Sequence, residues 1–153
     1  MNFPILSSLI LLPTIGALFL LFSKDKNSNT GKYVALFTSF VNFLISIYLW
    51  YLFDPSTSSF QFVENREWIK GFINYKIGID GISILFIILT TFITPLCIIS
   101  VNNTIKNKLR DFLIAILVME SLMIGVFCSL DLVVFYLFFE AGLIPMFLII
   151  GIW

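Results

Sequence analysis

Two glutamates, Glu120 and Glu140, stand inside long apolar stretches that contain no lysine or arginine. A charge at the centre of a bilayer costs about 2.5 to 3.5 kcal/mol on insertion scales, so such a residue usually faces a partner, a cavity or an ion path. With no cation supplied, one or both carboxyls are expected to be protonated part of the time, which is the property a proton relay requires. Asp131 marks a tight turn, with Glu120 eleven residues before it and Glu140 nine after. At about 1.5 Å of helical rise per residue, both acids lie roughly 13 to 17 Å from the same face, near the midplane. Both acids are candidate relay groups, Glu140 the more so for its central position and the proline close after it. For Glu120 a second reading stays open, a protonated carboxyl bonded to a neighbouring helix for packing alone.

Nearby residues support the same location. Ser121, Gly125 and Ser129 recur every four residues, a small-residue stripe that lets another helix approach closely. Pro145 cannot donate to the carbonyl of Ala141, which leaves an acceptor one residue past Glu140 where water could sit. Pro95 does the same for Thr91, with Thr90 and Thr94 close by. Other chemistries are excluded. The chain has no histidine, and its two cysteines, Cys97 and Cys128, cannot hold an iron–sulfur cluster by themselves. They read as small apolar residues. Nine basic and nine acidic residues leave no basic surface for nucleic acid. No metal and no bound cofactor are expected in this chain.

The elements that position these acids follow from composition. Hydrophobic residues make up 59% of the 153 and charged residues 12%, against roughly 45 to 50% and about 25% in soluble domains. Mean hydropathy is +1.05. A bilayer crossing needs about 20 apolar residues, and five segments qualify: Phe3 to Phe22, Tyr33 to Phe53, Gly81 to Val101, Phe112 to Leu130, and Leu132 to Trp153. Backbone groups in lipid must bond within their own segment, and no period-two alternation favours a barrel. The expected fold is therefore an all-α, multi-pass membrane protein. The first segment reads as a retained helix, because Met1 to Pro4 has no basic residue and the apolar run is too long for a secretion signal.

Loop charges set the expected orientation. Lys24, Lys26 and Lys32 follow the first helix and Lys106, Lys108 and Arg110 the third, whereas Arg66, Lys70 and Lys76 are spread through the longer loop 54–80 with Asp54, Glu64 and Glu67. That bias puts the N-terminus on the outer face and loop 54–80 outside. The loop's aromatics, Phe60, Phe62, Trp68, Phe72 and Tyr75, suit a connector folded along the headgroups, or alternatively a docking surface for another subunit. Asp80 is expected to cap the third helix and Asp131 the fifth.

The residues from Met119-Glu120-Ser121-Leu122 through Ser129-Leu130-Asp131, and from Phe138-Phe139-Glu140-Ala141-Gly142-Leu143-Ile144-Pro145 to Trp153, resemble the chain M family of the proton-pumping NADH–quinone oxidoreductase, respiratory complex I. Gly78-Ile79-Asp80-Gly81-Ile82-Ser83 and Trp68 resemble it too, and the likeness covers essentially the whole chain, weakest over the first 60 residues. The resemblance implies an antiporter-like subunit that moves protons in an inner (cytoplasmic) membrane beside other membrane-arm subunits. NADH, FMN, iron–sulfur clusters and quinone would be handled on separate subunits. It makes Glu140 the essential carboxyl, with a partner lysine on a later helix, and leaves Glu120 as a possible accessory proton group. Family members have about fourteen helices built around inverted repeats, so residues 1–153 are expected to be an N-terminal portion, as a fragment, a split-gene product or a truncated reading frame that does not pump alone. A portion of a multisubunit cation/proton antiporter and an inert membrane remnant remain as alternative readings.

Overall fold

A computed structural model describes residues 4–22, 28–69, 73–101, 105 and 108–153. Five helices account for most of it: α1 (Ile5–Phe22), α2 (Ser28–Leu52), α3 (Ser83–Ser100), α4 (Leu109–Cys128) and α5 (Leu132–Ile152). All five are long and apolar enough to cross a membrane, and the chain is a multi-pass, predominantly helical membrane protein. α4 lies at the centre and packs against each of the other four helices, whereas α5 packs mainly on α4. Lipid supplies little hydrophobic drive between helices, so close fit does the work. At Gly125 an added Cβ would lie 2.6 Å from a Phe138 ring carbon, so α4 and α5 meet there at a distance only glycine allows. At the far end of the pair, Phe112 meets Trp153 edge to face, with ring centroids 5.4 Å apart.

Helix ends differ from the apolar stretches. α2 begins at Ser28 rather than Tyr33, and α4 runs from Leu109 to Cys128 rather than from Phe112 to Leu130. α3 is slightly shorter than expected. Lys32 and Arg110 therefore sit within helices, near their starts, while the apolar stretches that follow them in α2 and α4 hold no basic residue. Hydropathy marks the lipid-facing length, but a helix continues into the headgroup layer, where long basic side chains reach water. Asp111, in the first turn of α4, also suits the positive end of the helix dipole. Phe3, Lys24, Lys26, Lys70, Phe72 and Lys106, used in the sequence reading, lie outside the described residues.

The connector 54–80 is a correction of another kind. It forms an antiparallel hairpin of β1 (Gln61–Ile69) and β2 (Ile73–Ile79), with Glu64 opposite Ile77 and Arg66 opposite Tyr75. An irregularity between Gln61 and Glu64 contains Phe62 at a φ of 52°, the left-handed conformation that bulges tolerate. The hairpin folds back onto its own bundle. Ile77 and Ile79 are buried with Leu6, Leu9, Ile84, Ile124 and Cys128, and the α4–α5 turn joins the hairpin edge through an Ile77–Ser129 bridge and a bond of 3.0 Å from Leu130 N to the Lys76 carbonyl. Gly78 permits that approach. A Cβ there would sit 2.7 Å from Leu130 Cδ1 and 3.1 Å from Val63 Cγ2.

Two apolar cores result. One, under the hairpin, joins Leu6, Leu9 and Ile10 of α1 to Leu49, Ile84, Ile87 and Ile124. The other, toward the opposite end of the bundle, joins Ala17 and Leu20 to Ala35, Ile98, Leu113 and Leu117. Between their positions on α2, α3 and α4 fall the buried polar residues Ser39, Asn42, Ser46, Thr91, Thr94, Glu120 and Ser121.

Candidate functional site

Glu120 points into this polar layer. Its side chain is 2% exposed, and its Oε1 accepts a hydrogen bond of 2.9 Å from Asn42 Nδ2 on α2. Close by in sequence to Asn42, Ser46 Oγ on α2 lies 2.8 Å from Thr91 Oγ1 on α3. Thr91 and Thr94 turn their hydroxyls back onto the carbonyls of Ile87 and Thr90. That is how a hydroxyl is usually satisfied in an apolar helix. Ser121 donates to the Ile10 carbonyl of α1 at 2.5 Å, a contact between helices made possible by close approach. The stripe of Ser121, Gly125 and Ser129 thus divides its work: Ser121 faces α1, Gly125 faces the Phe138 ring of α5, and Ser129 donates to the Gly125 carbonyl while its backbone meets the hairpin.

Glu140 lies elsewhere. It is exposed on α5, eight residues after the helix begins, or about 12 Å along it. Tyr136, Leu143, Ile144 and Phe147 are exposed too, and spacings of three, four and seven residues place them on one face with Glu140. The Tyr136 hydroxyl hydrogen-bonds the Glu140 carboxyl across one turn. Pro145 is buried five residues on, so its ring is turned to the bundle while the carboxyl faces out. The structure therefore does not pair the two acids. Each has its own partner, Asn42 for one and Tyr136 for the other.

The capping residues sit at the hairpin end of the bundle. Asp80 Oδ1 accepts from the backbone N–H groups of Ile82 and Ser83, at 3.2 and 2.7 Å. The bonds from Ser83 hold its carboxyl below the usual aspartate value, with burial working weakly the other way. Asp131 accepts from Val133 N and Val134 N at 2.8 and 3.3 Å, at the start of α5. A third device was missed by the sequence reading. Glu64 of the hairpin accepts from Leu6 N and Ser7 N at 3.1 and 3.3 Å and from the Ser7 hydroxyl. It thereby serves the open N–H groups of α1, which has no acidic residue in its own first turn. Burial pushes the neighbouring Tyr75 hydroxyl up; the Ser7 hydrogen bond opposes this and the Glu64 carboxylate adds to it, so Tyr75 is neutral.

Cys97 is half-buried and Cys128 buried, and neither is in a disulfide. Asn42, Ser46 and Tyr136 also went unnoticed in the sequence. The available signal was Ser39, Asn42 and Ser46, which repeat at helical spacing in an otherwise apolar stretch.

Comparison with known proteins gives this arrangement a family. Residues 6–129 match the model described as NADH-ubiquinone oxidoreductase chain 4, amino terminus. The chain is similar to NADH-ubiquinone oxidoreductase chain 4 of Marchantia polymorpha, 47% identical across 97% of this chain and 30% of that protein. It is also similar to NADH-quinone oxidoreductase subunit M of Rhodobacter capsulatus, 57% identical across 84% of this chain and 24% of the relative. Subunit M of Rickettsia prowazekii is 43% identical across 100% of this chain and 32% of its own length. The chain thus spans about a quarter to a third of the length of the curated relatives it matches. It belongs to the NADH-ubiquinone oxidoreductase chain 4 family, whose amino-terminal region it carries.

Proposed function

We propose that this chain is the N-terminal membrane part of the antiporter-like subunit of a proton-translocating NADH–quinone oxidoreductase, and that Glu140 is its proton-relay carboxyl. The observation that carries the reading is the placement of Glu140. A carboxyl stands partway along an apolar helix of 21 residues, on the face that the bundle itself leaves uncovered. Desolvating that face against a neighbouring element makes the charge costly, and a cation brought up to it reverses the balance. Glu140 can then take up and release a proton as the neighbour changes. The family resemblance supplies such a cation, a lysine on a later helix of the full-length subunit.

The chain's own residues prepare the carboxyl. Tyr136, one turn before it on the same face, offers it a hydroxyl donor. The Ala141 carbonyl, which Pro145 cannot engage, offers an acceptor for water one residue away. Glu120, enclosed between α2 and α4, serves as an accessory proton group. NADH, FMN, iron–sulfur clusters and quinone belong to other subunits in this reading, and the partners of this chain are the neighbouring membrane-arm subunits, the lipid bilayer and protons. The membrane is the inner (cytoplasmic) one, with the N-terminus and the hairpin on its outer face.

Membership is tested by tagging the full-length subunit and solubilising membranes in mild detergent. NADH–quinone oxidoreductase activity should elute with the tag. A tagged subunit that elutes free of that activity, while the activity elutes intact elsewhere, contradicts the proposal.

A further inference from the structure

The polar layer contains an imbalance that its own members do not resolve. Glu120 Oε1 receives the Asn42 amide N–H, yet Glu120 Oε2 and Asn42 Oδ1 are both buried and have no hydrogen-bond partner among the described residues. An ionised carboxyl carries only acceptors, so in that form the pair holds two orphaned oxygens. A proton on Oε2 makes it a donor, and Asn42 Oδ1 is the unfilled acceptor of the same pair. One proton therefore satisfies both atoms, in a ring of two hydrogen bonds between acid and amide.

Among the described residues no cation stands in for that proton. α1 and α3 contain no charged side chain. On α2, Lys32 lies ten residues before Asn42, about 15 Å along the axis. On α4, Arg110 and Asp111 lie ten and nine residues before Glu120 and face each other at 3.6 Å. On α5, Glu140 is exposed and engaged by Tyr136. Arg66 and Lys76 of the hairpin and Lys108 just before α4 are exposed.

We propose that Glu120 and Asn42 form a proton-binding site inside the bundle, in which the carboxyl holds the proton and donates it to Asn42 Oδ1. This site is separate from the Glu140 face, and it stands whether or not the chain serves a redox-driven pump. Asn42 is a positioning residue: it sets the geometry in which the acid form is fully bonded. A water molecule donating to both orphaned oxygens is the competing solution, and it requires Glu120 to remain ionised.

Infrared difference spectroscopy on the purified full-length subunit separates the two. The wild-type spectrum minus that of Glu120→Gln at neutral pH should contain the carbonyl stretch of an undissociated carboxylic acid, shifted down in D2O. The side-chain amide introduced by Glu120→Gln can make an amide–amide ring with Asn42, so this variant should retain the wild-type melting temperature. Asn42→Leu should move the acid band to higher frequency, because the proton loses its acceptor. A carboxylate stretch in place of the acid band overturns the proposal, as does an acid band that Asn42→Leu leaves in place. If Asn42→Leu fails to fold, Asn42→Ser takes its place, since a shorter hydroxyl side chain also breaks the ring and must move the band.

Discussion

Gly125 gives the sharpest test of how the bundle is packed. In Gly125→Ala the new Cβ would meet Phe138 ring carbons at 2.6, 2.7 and 2.8 Å, whereas carbon atoms prefer about 3.5 to 4.0 Å. The ring has to retreat by about 1 Å, or α5 has to move off α4. Overpacking of this kind costs about 1 to 3 kcal/mol, and replacing glycine within a helix returns up to about 1 kcal/mol. The net expectation is a loss of roughly 0 to 3 kcal/mol, a range too wide to decide anything alone. A double-mutant cycle with Phe138→Leu removes that weakness. Shortening the side chain opens the space the new methyl needs, so Gly125→Ala should be less harmful, or stabilising, in the Phe138→Leu background, with a coupling of about 0.5 to 3 kcal/mol. The assay is reversible unfolding of the full-length subunit in detergent, read for all four proteins of the cycle. Additive effects, with Gly125→Ala neutral or stabilising in both backgrounds, would refute the close contact between α4 and α5.

Three other expectations test the hairpin end and the orientation of the chain. Glu64→Ala should free the first N–H groups of α1 and cost about 0.5 to 2 kcal/mol, the range for losing a helix cap, with faster hydrogen exchange at Leu6 and Ser7; unchanged exchange there would mean that the hairpin does not cap the helix. Asp80 is held below its usual value of 3.8, so its contribution is complete above that pH and disappears as pH falls through the lower folded value. Asp80→Asn, which keeps a capping oxygen that does not titrate, should flatten this acid limb of the stability profile, and an unchanged limb would assign it to other carboxyls. For orientation, a cysteine at Ser58 should react with an impermeant reagent from the outer face and one at Lys108 only from the inner face; the reverse pattern inverts the topology.

The spans were legible because lipid allows few choices. A stretch of about 20 apolar residues must bond its own backbone, and five such stretches are plain in the sequence. Their ends were less legible, since Ser28 to Lys32 and Leu109 to Asp111 are polar enough to look like loop yet extend helices into the headgroup layer. The hairpin was missed for a different reason. Loop 54–80 drew attention for its aromatic content, while Ile73, Tyr75, Ile77 and Ile79, alternating with Asn74, Lys76 and Gly78, carried the period-two signal of a strand. Its docking partners, Ser7 and Ser129, lie about fifty or more residues away in the chain, and no local pattern announces them.

The site shows the same division. Counting residues from Asp131 estimates the depth of Glu120 and Glu140, because rise per residue is nearly constant. The direction each side chain takes depends on which helices surround it, and that is a property of the whole bundle. α4 is ringed by neighbours, so Glu120 is enclosed; α5 has few, so Glu140 is exposed. Asn42 is not legible from the distribution of formal charge, because an amide carries none.

Glu140 decides the functional reading. In the assembled complex, reconstituted in vesicles, Glu140→Gln keeps size and hydrogen bonding and removes only titration. NADH-driven proton uptake should fall on the order of a hundredfold, the scale on which a positioned acid–base group contributes, while Glu140→Asp retains part of it. Proton uptake by Glu140→Gln at the wild-type rate would contradict the assignment of Glu140 as the relay.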